Sequence, residues 1–150
     1  MPDVNCSLKM AKSINDIQNE IIEEFEAFDD WLGRYELIIE YGRGLKPIPA
    51  EDKNDRNLID GCQSKVWLTA VLQDGQLVYT GDSDAVLVKG VVALLIRVLS
   101  NHTPEEIIKA DLYFIDRIGL REHLSPTRSN GIAAMLKQMK LFALAFFSKG

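Results

Sequence analysis

A chain of 150 residues, 47% hydrophobic and 26% charged, is long enough for one domain with its own core and too apolar for a disordered segment. A formal net charge of -5 lacks the basic footprint that phosphate backbones require, so nucleic acid is disfavoured as a partner; a basic patch on another protein is a better complement. Two cysteines, Cys6 and Cys62, are too few for a disulfide scaffold, and Met1 to Lys12 does not read as a secretory signal. The expectation is free thiols in a reducing cytoplasm.

Residues 1–12 read as a flexible extension and 13–150 as a single domain. Ser13 offers an N-cap with Asp16 three residues on, and Ile14, Ile17, Ile21, Phe25 and Phe28 follow at helical spacing. Asp29 or Asp30 caps a second helix carrying Trp31, Tyr35, Ile38 and Ile39, which Gly42 and Gly44 end. Pro47 to Arg56 is polar, holds two prolines and reads as a loop. Val66, Leu68, Ala70 and Leu72 then alternate with Trp67, Thr69, Val71 and Gln73 in strand periodicity. Asp74-Gly75 is a hairpin turn signal, Gln76 to Thr80 forms the return strand, and Asn57 to Asp60 is a candidate third strand.

Ser83 is placed to cap the apolar helix that follows. That stretch, Ala85 to Leu99, is interrupted by Lys89 and Arg97 and falls short of the roughly 20 apolar residues of a bilayer span, so no membrane is expected. Gly90 within it costs about 1 kcal/mol against alanine, which points to close packing. Thr103-Pro104-Glu105-Glu106 is a capping box with proline at the first helical position. Asp111 starts a short helix that Gly119 ends, and Ser125-Pro126 opens the last helix, with Ile132, Met135, Leu136, Met139, Phe142, Ala143 and Phe146 on its apolar face. The fold class is α+β, a small antiparallel sheet with helices packed on one face.

Cys62 stands in Asp60-Gly61-Cys62-Gln63-Ser64-Lys65, just before the first long strand. Gly61 accommodates positive φ and a close approach, so the thiol can be presented at the tip of a turn. Lys65 or Arg128 would favour the thiolate if the fold brings either near. Read alone, a free cysteine fits better as a small buried hydrophobe.

The run Leu58-Ile59-Asp60-Gly61-Cys62-Gln63-Ser64-Lys65-Val66-Trp67-Leu68 resembles the signature of the SufE family. Ser83-Asp84-Ala85 with Val88-Lys89-Gly90 resembles its second block, and Leu124-Ser125-Pro126-Thr127-Arg128-Ser129-Asn130-Gly131 its third, in the same order. The resemblance implies a fold shared with IscU-type scaffolds. It also implies a partner cysteine desulfurase of SufS or CsdA type and a downstream iron–sulfur scaffold or other sulfur acceptor. Cys62 matches the cysteine that carries persulfide sulfur. Pyridoxal phosphate belongs to the desulfurase, so this chain is expected to hold no cofactor and no metal, and not to turn over alone. Gly61, Gln63, Ser64 and Lys65 are expected to shape the loop or the docking face. Asp84 is expected to complement a helix dipole or help hold the loop. Arg128 sits in a first helical turn, where the dipole disfavours a cation, and is expected at the cysteine cavity or partner surface.

Trp67 reads as core, and the isolated His102 and His123 as solvated or structural. A cluster scaffold needs several ligands where the folded region offers one cysteine, and a cysteine hydrolase needs an oriented base for which only His123 is available. An interaction module without thiol chemistry is the remaining alternative. A monomer is expected.

Overall fold

The computed structural model describes residues 12–60, 64–123 and 126–149. Helix α1 (Ile14–Glu26) opens at Ser13, whose hydroxyl accepts the Asp16 N–H at 3.0 Å while the Asp16 carboxylate accepts the Ser13 N–H at 3.3 Å. Two backbone donors at the helix start are satisfied within one turn, as the spacing implies. Ile14, Ile21, Ile22 and Phe25 are buried. The helix stops at Glu26 with Ala27 as its C-cap, so Phe28 lies beyond the apolar stripe and is exposed. Asp30 caps α2 (Trp31–Arg43), accepting the Gly33 N–H at 2.9 Å. Gly42 continues α2 instead of ending it; Gly44 is the cap. The reason is packing: a Cβ on Gly42 would lie 2.9 Å from Gly90 N, on the helix that crosses here.

The loop after α2 carries two short 3-10 turns, Ala50–Asp52 and Asp55–Asn57. The Asn54 side chain caps the second, accepting the Asn57 N–H, and this curl leaves no room for a third strand. Leu58 makes a single bridge to Trp67, and the sheet has two strands. β1 (Val66–Gln73) pairs antiparallel with β2 (Gln76–Ser83), from Val66 opposite Ser83 to Gln73 opposite Gln76. Asp74 and Gly75 take φ of 52° and 80°, the left-handed pair that a two-residue hairpin turn needs.

Val66, Leu68, Leu77 and Tyr79 face the core. Leu72 shares their face but stands at the hairpin tip and is exposed, and Trp67 belongs to the opposite face, where it is half-buried and not core. The Tyr79 hydroxyl donates to the Met139 carbonyl at 2.6 Å, and burial pushes its phenol well above its ordinary pKa.

Helix α3 (Val86–Leu99) packs along β2 and across α2, burying Val91, Val92, Leu94, Leu95, Val98 and Leu99. Ser83 does not cap it. The helix begins after Ala85 with no side-chain cap, because Ser83 is still in β2 and bonds across the sheet end. Gly90 permits the crossing: a Cβ there would lie 2.1 Å from the Ile38 carbonyl oxygen.

Thr103 and Glu106 form the expected capping box of α4 (Pro104–Lys109). Helix α5 (Phe114–Arg117) starts at Tyr113, not Asp111. The buried Gln18 explains this, since it accepts the Phe114 N–H at 3.1 Å and donates to the Asp111 carbonyl at 3.1 Å, taking up the backbone groups on both sides of the helix start. Gly119, at φ 75°, separates α5 from α6 (Leu120–His123).

Helix α7 (Pro126–Lys149) closes the core with Ile132, Met135, Met139 and Ala143; Ser125, read as its cap, lies outside the described residues. By length and composition its stretch Gly131–Ser148 would suffice to cross a membrane, but this inner face packs in the core. Lys140 Nζ also donates to the Ala110 carbonyl at 2.5 Å, tying α7 to the end of α4.

Candidate functional site

The end of β2 grips the stretch that carries the sequence signature. The Lys65 N–H donates to Asp84 Oδ1 at 3.0 Å, and the Lys65 carbonyl accepts both the Ser83 hydroxyl at 2.8 Å and the Asp84 N–H at 3.2 Å. The Ser83 oxygen also accepts the Ala85 N–H at 3.2 Å, so one hydroxyl joins the turn to the start of α3. Upstream, the Ile59 N–H donates to the Val66 carbonyl at 2.9 Å. Ile59 and Lys65, on either side of the signature cysteine, are therefore held at the backbone. Gly61, Cys62 and Gln63 lie outside the described residues.

Asp82 lies beneath this clamp on the outer face of the hairpin, opposite Trp67 in the register. It is only 6% exposed. Its Oδ1 accepts the Ser83 N–H at 2.7 Å and lies 3.4 Å from Lys89 Nζ; its Oδ2 lies 3.0 Å from Lys53 Nζ. Burial works to raise this carboxyl, but the Lys53 and Ser83 hydrogen bonds with the charges of Lys89 and Lys53 outweigh it and hold the pKa below its ordinary value. Lys53 Nζ also stands 5.5 Å from the centre of the Trp67 ring, within cation–π range. One carboxylate thus joins the arm before the turn, the end of β2 and the first turns of α3.

A small, wholly apolar hollow lies on the core side, lined by Ile59, Val66, Leu68, Val92, Leu95 and Met135 among others. Ile59 and Val66 are the residues whose backbone bond closes the base of the turn.

The sequence-derived site residues are distributed as follows. Lys65 and Asp84 meet directly, through the Lys65 backbone, and both side chains are exposed. The Asp84 carboxylate, expected to complement a helix dipole or help hold the loop, thus bonds the Lys65 backbone. Ser64 is half-buried at the edge of the turn, and Arg128 stands in the first turn of α7, its side chain outside the described part. His123 packs against Trp31 with ring centres 3.9 Å apart and planes tilted by 53°, and His102 is buried between the Ser100 and Lys12 carbonyls at 3.0 Å each, so both imidazoles have structural settings. Among the described residues, no group of three or more His, Cys, Asp or Glu could hold a metal ion.

Residues 19–143 match the family model for SufE, described as an Fe-S metabolism associated domain. The chain belongs to the SufE family. It is 45% identical over 127 residues to an uncharacterized SufE-like protein of Synechocystis sp., a match covering 85% of this chain and 80% of that one. A solution structure of a hypothetical protein from Thermus thermophilus superposes with a TM-score of 0.73 at 22% identity, over 88% of this chain and 96% of that one, and shares the fold. SufE membership ties the chain to iron–sulfur metabolism, and the matched span contains the turn, the clamp and the Asp82 ion pairs.

Sequence reasoning missed Asp82 and Lys53. On strand periodicity Asp82 falls on the outer face, where a charge reads as solvated. Only the folding of the 50–57 arm over that face buries it. The lone clue was Lys89, an interrupting cation near the start of an otherwise apolar helix that stands within reach of the strand end.

Proposed function

We propose that this chain is a sulfur acceptor and activator of a cysteine desulfurase, carrying persulfide sulfur on Cys62 toward iron–sulfur cluster assembly. The observation that carries this reading is the SufE family match, which spans the Cys62 turn and the two later blocks. The backbone bonds at Ile59 and Lys65, which hold the chain on either side of Gly61–Gln63, support the reading.

The partner is a desulfurase of SufS or CsdA type holding its own pyridoxal phosphate, and a scaffold or other acceptor receives the sulfur. The Cys62 thiolate attacks the terminal sulfur of the partner's cysteine persulfide. A new S–S bond forms at Cys62 as the partner's S–S bond breaks, and the partner's cysteine departs as a thiolate. The sulfur changes carrier with no net oxidation or reduction, and the terminal sulfur's proton exchanges with solvent. Lys65 and Arg128 supply positive charge at the thiol or the docking face, Gly61, Gln63 and Ser64 shape the turn, and Asp84 holds it. The chain acts as a cytoplasmic monomer.

Incubation with a cysteine desulfurase and cysteine, followed by mass spectrometry, tests the scheme. The expected result is a thiol-reducible adduct of about 32 Da, one sulfur atom, on Cys62. The Cys62→Ser variant should still bind the desulfurase but lose its stimulation. An unmodified Cys62 beside an actively turning desulfurase overturns the proposal.

A further inference from the structure

We infer that the outer edge of β1, over Thr69 to Gln73, is a docking site for an extended, uncharged segment of a partner protein, which adds to the hairpin as a third strand. The inference goes beyond the sulfur-acceptor reading and does not depend on it.

The direction of the backbone groups follows from the register. The Leu77 N–H donates to the His102 carbonyl at 2.9 Å, the Leu77 carbonyl accepts the Asn101 N–H at 2.7 Å, and the Tyr79 N–H donates to the Ser100 hydroxyl oxygen at 2.9 Å. Both residues therefore turn their backbone groups away from β1. Opposite them stand Leu72 and Ala70. These are the non-hydrogen-bonded pairs of the antiparallel ladder, so the N–H and C=O groups of Ala70 and Leu72 point outward from the far side of β1. Val66 lies on the same alternation, and its carbonyl accepts the Ile59 N–H at 2.9 Å, as this geometry requires. Leu58 bridges Trp67 beside it, and the pairing stops there. Among the described residues, no backbone group pairs with Ala70 or Leu72 on that side.

The protein covers β2 at Leu77 and Tyr79 with the 100–102 segment and covers β1 at Val66 with Ile59, but leaves the stretch from Thr69 to Gln73 open. That stretch carries none of the usual defences of an edge. β1 runs Val-Trp-Leu-Thr-Ala-Val-Leu-Gln, with no proline and no charge, and its register with β2 is unbroken by a bulge. Val71 is 49% exposed and Leu72 46%. What the edge lacks specifies the occupant. Unpaired N–H and C=O groups repeating at every second residue are met in register by another extended backbone. Val71 on one face and Leu72 on the other set apolar side chains beside the added strand on both of its faces. β-branched and aliphatic residues match that setting, whereas a charge in the middle of the added strand would lose water there without gaining a partner.

The test uses the native full-length chain and no desulfurase. The probe is the capped peptide acetyl-Lys-Thr-Val-Thr-Val-Thr-Lys-amide, titrated to millimolar concentration while the backbone amides are followed by NMR. At twice the Kd read from the shifts, hydrogen exchange of the Ala70 and Leu72 amides should slow by about threefold, with the Thr69 and Val71 amides, which face β2, as the reference. The same peptide methylated at every internal backbone nitrogen offers no donors and should bind about tenfold more weakly or worse. Ala70→Pro removes an N–H that β2 does not use, and Val71→Lys sets a charge beside the added strand; each should weaken the peptide by about fivefold or more. Val71 is exposed, so its variant keeps the experiment informative if Ala70→Pro does not fold. The inference is overturned by unchanged Ala70 and Leu72 amides up to millimolar peptide, by equal binding of the methylated peptide, or by full binding to Val71→Lys. Protection of these amides that arises without peptide and grows with protein concentration means that β1 pairs with a second copy, and it too overturns the assignment to a foreign strand. None of these readouts involves the Cys62 adduct, so the sulfur-acceptor reading stands or falls separately.

Discussion

Replacing Gly90 by alanine sets two effects of opposite sign against each other. Alanine is the better helix former by about 1 kcal/mol, so propensity alone predicts a more stable protein. The structure predicts the reverse. A Cβ at Gly90 would lie 2.1 Å from the Ile38 carbonyl oxygen, 2.5 Å from Ile38 Cγ2 and 2.7 Å from Ile38 C, where ordinary contact begins near 3.4 Å. The obstacle is mostly backbone, so no side-chain rotation relieves it, and α2 must move off α3 by an ångström or more. Overpacking of this kind costs about 3 kcal/mol, which leaves a net loss of about 2 kcal/mol. For a chain of this size that is a fall in Tm of about 4–8 °C. Thermal unfolding followed by circular dichroism measures it, with Gly44→Ala as the control. Gly44 has φ −82° and its nearest obstacle is 3.6 Å away, so that substitution should be neutral or stabilising by a few tenths of a kcal/mol. A Gly90→Ala protein that melts at or above the wild-type temperature refutes the argument that the α2–α3 crossing is closed to a single methyl group.

Three further outcomes are expected. Gln18→Leu should cost about 2–4 kcal/mol in a urea titration, since it strips hydrogen-bond partners from the Phe114 N–H and the Asp111 carbonyl at a site with no solvent exposure; a loss below 1 kcal/mol would show that water reaches these groups. Thr103→Ala should cost about 1 kcal/mol by removing the cap of α4, with Thr103→Ser recovering most of it. The folded-state pKa of Asp82 lies below its ordinary 3.8, so its contribution is fully present above that value and is lost as pH falls through the folded pKa. The stability gap between wild type and Asp82→Asn should accordingly be constant from pH 7 to 5 and close in strong acid, whereas a gap that widens on acidification would reverse the sign of this linkage.

The features legible in the chain are those whose partners lie within a few residues. Ser13 finds Asp16, Thr103 finds Glu106, and Asp74-Gly75 supplies its own left-handed turn; each is settled by local backbone chemistry before any tertiary contact forms. The family resemblance is legible for a related reason, since its blocks are continuous runs around Cys62, Asp84 and Arg128. Gly90 also declared itself, because a helix keeps glycine against its propensity only where something stands too close for a methyl group.

What lay beyond reach depends on elements distant in sequence. Ser83 and Asp84 look like the start of a helix, yet both bond the Lys65 backbone, because β2 runs on to Ser83 opposite Val66. Asp111 has the composition of a cap, but Gln18 of α1 sets where α5 begins. Asp82 looks solvated until the 50–57 arm folds over the outer face of the hairpin and brings Lys53 to it. Sequence by itself determined most of the helices and the hairpin, since short-range hydrogen bonding and hydrophobic periodicity specify them. Tertiary structure alone decided which charges meet at the end of β2, because the lysine that reaches Asp82 from the 50–57 arm is remote along the sequence.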